Sequence, residues 1–238
     1  MIKKILTMTI GLCVASVAGA VNDPDSTGRT VKYLDMLNST VVSFSTPGTP
    51  CYQFPTDTPP PPQTITCVAL AGQSPNVFEP LPLTSFGDIS VGANDARSLI
   101  TLNLDSVADI LLINPHPTRA SLLLNANIKV IIENSALNDP ALINPRTGQP
   151  FNGKLELGYQ WIYDRRTADA GESFISSNKM PFDVVVVSRK LLTSVYGLSP
   201  TRAAYFFSRP MTIKLSVTGN IVGNGRANFF LHGRLMGD

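Results

Sequence analysis

Strict alternation of apolar and polar residues is the feature that most constrains this chain. Between residues 120 and 133 the apolar positions Leu122, Leu124, Ala126, Ile128, Val130 and Ile132 recur every second residue. A strand sends successive side chains to opposite faces, so this spacing predicts one long strand with a single core-facing side. The same period returns in residues 98–104 (Ile100, Leu102, Leu104), 154–163 (Leu155, Leu157, Tyr159, Trp161), 211–218 (Ile213, Leu215, Val217) and 226–236 (Ala227, Phe229, Leu231, Leu235). Trp161, the single tryptophan, reads as a core anchor on the face of Leu155 and Leu157.

Further extended segments fall at residues 29–46, 64–70, 108–114 and 180–187, and the valine run 184–187 reads as buried on both faces. Residues 29–46 read as an ordinary first strand, with a strand exchanged between subunits as the alternative. Asn114-Pro115-His116-Pro117 marks a corner. Residues 71–96, rich in Gly, Pro, Asn and Asp, read as a long irregular connection, and residues 134–152 as a second excursion. Residues 219–225 read as the glycine-rich turn of a terminal hairpin.

Helix is confined to residues 188–208, where Ser188 and Ser199-Pro200 supply two N-caps and Gly197 a stop. Together these signals predict a mainly β fold, an antiparallel β-sandwich with long loops and a short helical insert near residues 188–208. The expected division is a leader of residues 1–20 and one β-rich domain over residues 21–238, a subdivision near residue 96 being the open alternative.

The leader reading rests on Lys3 and Lys4, an uncharged apolar run over residues 5–18, and Ala18-Gly19-Ala20 before Val21-Asn22-Asp23. That pattern is a secretory signal peptide; the run is short of the roughly 20 residues a membrane span needs. Removing it takes Cys13 and both lysines, so the formal charge falls from +2 to 0. A neutral chain offers no electrostatic footprint for nucleic acid, and no transmembrane segment is expected in the mature protein. The expected location is the periplasm, the outer envelope surface or the extracellular space.

Cys51 and Cys67 remain as an even pair in an oxidising compartment and are expected to form one disulfide. Between them lie Pro59, Pro60, Pro61 and Pro62, which favour a stiff polyproline II rod. With Tyr52 and Phe54 beside it, this loop is a candidate interaction epitope; a structural clip is the plainer reading.

No catalytic, cofactor-binding or metal site is expected. His116 and His232 are the only histidines, too few beside two cysteines for a convincing ligand set, and no Gly-x-Ser-x-Gly elbow occurs. Glu156, Asp164 and Asp169 near Tyr159, Trp161 and Tyr163 form the one candidate for a glycan-binding or glycan-hydrolysing face. The first expectation for function is therefore an exported, non-catalytic subunit of a bacterial-type cell-envelope or surface assembly, a secretion-complex or filament-like component, with other envelope proteins or itself as partner. The alternative is a secreted glycan-binding module or glycoside hydrolase.

Overall fold

The computed structural model describes residues 32–53, 64–70, 79–181 and 184–238. Residues 1–20, read as a leader, and Phe54 and Pro59 to Pro62 lie outside the described residues. The strands are β1 Lys32–Ser45, β2 Thr64–Ala69, β3 Glu79–Val91, β4 Leu99–Ile113, β5 Ala120–Asn134, β6 Ile143–Asn144, β7 Gln149–Pro150, β8 Lys154–Ala168, β9 Ser173–Pro181, β10 Val185–Ser188, β11 Met211–Val222 and β12 Asn224–Gly237. Two short helices, α1 Arg189–Ser194 and α2 Pro200–Phe207, sit between β10 and β11.

The fold is mainly β, as the alternation predicts. One sheet has the order β10-β4-β12-β1-β2, with β9 beside β10 along the same flank of β4; the other has the order β3-β11-β5-β8. All pairings are antiparallel except β1 with β2. Residues from both sheets and from both sides of position 96 join one apolar cluster. Its β5 contribution is the period-two set from Leu122 to Ile132, and α2 adds Phe206 and Phe207.

The structure departs from the sequence pattern at four places in the fold. The first concerns β4, which runs unbroken where two strands were expected: Ile100, Leu102, Leu104, Ala108, Ile110 and Leu112 keep one parity, so Asp105-Ser106 does not interrupt it. The second concerns residues 79–91, read as irregular, which form β3. Among the described residues it is an edge strand paired only with β11, and prolines such as Pro80 are tolerated there because an edge residue owes no outward ladder bond.

The third correction concerns the valine run. Val187, opposite the buried Ile100, faces the core, but Val186, opposite Thr101, faces outward and Val184 precedes the strand, so both are exposed.

The last two strands give the fourth correction, for they form no hairpin. β11 pairs with β3 and β5, whereas β12 pairs with β4 and β1 in the other sheet. The chain crosses between sheets at Gly223, so Val217 and Ile221 meet Ala227 and Phe229 across one core. Gly225 anchors the crossing: its N–H donates to Thr46 Oγ1 at 2.7 Å and its carbonyl accepts from Thr46 N at 2.9 Å.

The helical insert matches its reading. Ser188 Oγ accepts from Leu191 N at 3.1 Å, Ser199 Oγ from Arg202 N at 3.2 Å, and Pro200 opens α2. The first strand, β1, is shared between β12 and β2 of its own chain.

Cys51 and Cys67 are disulfide-bonded, with 6.1 Å between Cα atoms. Cys67 lies on β2 opposite Ser43 of β1, and the segment after Cys51 folds back over β1. Tyr52 N donates to Ser43 Oγ at 3.1 Å, and the Tyr52 ring meets Phe230 edge-on at 4.8 Å. Tyr52 therefore covers Ser43 and Phe230 on the outer side of this sheet.

Candidate functional site

The candidate site is built by one extra residue in β8. Leu155 and Leu157 face the core opposite Ile132 and Val130, but the register with β5 shifts at Gly158, whose φ is +52°. A bulge inserts one unpaired residue and so reverses which parity points inward; glycine adopts the required left-handed backbone without a Cβ penalty. Beyond it Ile162 turns inward, while Trp161 and Tyr163 turn outward at 58 % and 52 % exposure. Trp161 is thus no core anchor. Tyr159 pairs with Lys129, and its side chain lies outside the described part of the structure.

The outward residues make an aromatic platform on the sheet face. Trp161 stands opposite Asn127 and Tyr163 opposite Asn125, and Asn125 in turn pairs with Asn220 of β11. The two rings lie 5.5 Å apart at 52°. The Trp161 indole N–H donates to Asn125 Oδ1, which fixes the ring over the sheet. Arg165 Nε, one step further along β8, donates to Ser121 Oγ at 3.2 Å. Two large aromatic planes set among neutral amides give two tilted apolar contact surfaces with hydrogen-bonding groups at their rim.

Toward the start of β8, ending at Gly158, lies an open cleft of about 670 Å³. Its floor holds Lys129 and Glu156, joined by a 2.9 Å ion pair, and one wall is the β6–β7 turn carrying Arg146 and Gln149. Phe151 and Tyr196, both buried, close its base.

The three carboxylates do not converge. Glu156 lies on the outer face and is paired with Lys129, whereas Asp164 pairs in register with the buried Leu124 and so lies on the opposite face, 3.2 Å from Arg166. Asp169 belongs to the turn after β8 and faces Arg119 at 3.7 Å. His116 sits in the corner after β4 and His232 on β12. Among the described residues no group of three His, Cys, Asp or Glu could hold a metal, and no helix is long and apolar enough to cross a membrane.

The sequence marks Trp161 and Tyr163 but misses Asn125, Asn127, Arg146 and Tyr196. The two asparagines are legible only as outward positions of an alternating strand. Nothing in the order of residues brings the turn at 144–149 against β8. No protein-family model matches the chain, and the comparison with curated proteins finds no relative.

Proposed function

We propose that this chain is an exported, non-catalytic binding protein that holds a glycan on the outer face of the β5–β8 pair. The observation that carries the reading is the exposed Trp161–Tyr163 pair, fixed through Asn125 on an amide-rich sheet face. A sugar ring offers C–H faces that pack on aromatic planes and hydroxyls that pair with amides at their rim. Export is supported by the leader pattern of residues 1–20 and by the disulfide. Binding without hydrolysis is supported by the placement of Glu156 and Asp164 on opposite faces, since glycosidic cleavage needs two carboxyls flanking one bond.

Electrophoresis of the mature protein through gels containing neutral or acidic polysaccharides tests this. Retardation by at least one polysaccharide, abolished in Trp161→Ala with unchanged circular dichroism, is the expected result. Mobility unaffected by every polysaccharide, or equal retardation of the variant, overturns the reading.

A second reading, a subunit of an envelope or surface assembly, rests on the flank formed by β9 and β10. Ile175 is 76 % exposed there, with Val184 and Val186 also exposed. Apolar side chains on a sheet flank favour packing against another protein surface. Sedimentation velocity over a concentration series, with Ile175→Lys as the disrupting variant, distinguishes an associating chain from a monomer.

A further inference from the structure

The cleft beside the aromatic platform has an unusual charge balance. Its lining carries Lys129, Arg146 and Lys154 against a single carboxylate, Glu156. Lys129 is neutralised by Glu156 at 2.9 Å, and Lys154 reaches Glu133 at 3.7 Å. Arg146 has no carboxylate partner among the described residues; its Nη1 donates to Tyr196 Oη at 3.4 Å.

That guanidinium has this one side-chain contact, and the turn that carries it is fixed through its backbone. Tyr196 is 2 % exposed, and its hydroxyl donates to the Glu156 carbonyl at 3.1 Å, which leaves an oxygen lone pair turned to Arg146. On the backbone side Asn144 Oδ1 accepts from Arg146 N at 3.0 Å, and Asn144 O accepts from Gly148 N at 2.8 Å, fixing the β6–β7 turn. A guanidinium prefers a bidentate anionic partner, and most of its donors remain available on the open side of the cleft.

We infer that this cleft binds the carboxylate of an acidic sugar, with Arg146 as its anchor, and that the ligand is a uronate-bearing polysaccharide laid along β8. The inference rests on the glycan reading above and names the class of glycan. Gly158 lines the cleft and Trp161 lies three residues on, about 10 Å along the strand, so neighbouring units of one chain reach both. The polymer's own charge selects the cleft; its ring faces select the platform.

Affinity for polygalacturonate and for its fully methyl-esterified form tests this, because the two share a backbone and differ only in the carboxylate. The expected result is binding of the acid about tenfold tighter than of the ester, weakened by salt, and lost in Arg146→Gln without change in ester binding. Arg146→Lys, which keeps the charge and loses the fork, should recover part of the difference. Trp161→Ala should weaken both forms alike. Equal affinity for acid and ester, or an Arg146→Gln variant that keeps the preference, overturns the inference while leaving the glycan reading intact. Binding of neither form, with none of any other polysaccharide, overturns both. Dextran sulfate bound as tightly as polygalacturonate shows a general anion site and overturns the uronate assignment.

Discussion

Replacing Gly225 by alanine should open the seam where the chain passes from one sheet to the other. Gly225 has φ +143°, and a Cβ there would stand 1.9 Å from the Leu111 carbonyl oxygen and 2.8 Å from its carbon. Both atoms are backbone of β4, a strand held on its two long sides by β12 and by β9 with β10, so the neighbour cannot yield by rotating a side chain. The unfavourable φ costs about 1–3 kcal/mol and the overpacking a similar amount. Together they remove about 2–6 kcal/mol of a stability on the order of 5–15 kcal/mol. For a chain of this length the melting temperature should fall by roughly 10 °C. The control is Gly148→Ala in the β6–β7 turn, where φ is +69° and nothing lies within 4 Å of the added Cβ. It should cost only about 1 kcal/mol. Thermal and urea unfolding of both variants by far-ultraviolet circular dichroism measure the difference. If Gly225→Ala is as stable as Gly148→Ala, the close packing of β12 on β4 is wrong.

Replacing Cys51 and Cys67 together by alanine frees a loop of sequence separation 16 and should cost about 3 kcal/mol by chain entropy, read as a lower urea midpoint; an unchanged midpoint contradicts it. Gln160→Leu should raise stability by about 1 kcal/mol, because Gln160 Oε1 is buried without a hydrogen-bond partner among the described residues; a destabilised variant in urea unfolding contradicts this. The pair of Lys214 with Glu133, 2.9 Å apart, holds the glutamate below its ordinary value of 4.5 and the lysine above its ordinary 10.5, chiefly through their mutual hydrogen bond. A carboxyl lowered on folding adds stability above 4.5 that is lost as pH falls through its folded value, and an ammonium raised on folding adds stability below 10.5 that is lost as pH rises through its folded value. The partly exposed pair should therefore contribute about 1 kcal/mol or less between those limits, so the melting-temperature gap between wild type and Lys214→Met should close in strong acid; a pH-independent gap refutes it.

The strands themselves were largely legible, because period-two spacing reports which side chains share a face. The parity that put Leu122 and Phe229 in the core was correct. It does not report which strand is the partner, and so β11 and β12 read as a hairpin although they lie in different sheets. Parity also fails silently at a bulge. Gly158 is an unremarkable glycine in the sequence, yet the residue it adds moves Trp161 from the core side to the solvent side. β3 was invisible for the opposite reason: an edge strand tolerates the prolines that otherwise argue against one. The cleft was not legible at all, since Arg146 and Tyr196 are 50 residues apart and meet only through the packing of the helical insert against the turn at 144–149.

Trp161 is the only tryptophan in the chain, so its fluorescence reports the proposed binding face and no other surface. Titrating residues 21–238 with polygalacturonate while following that emission is the most direct measurement. A saturable shift to shorter wavelength, as the indole leaves water for a sugar face, is the expected result. Emission that stays constant while the polysaccharide binds would place the ligand elsewhere and contradict the assignment of this face.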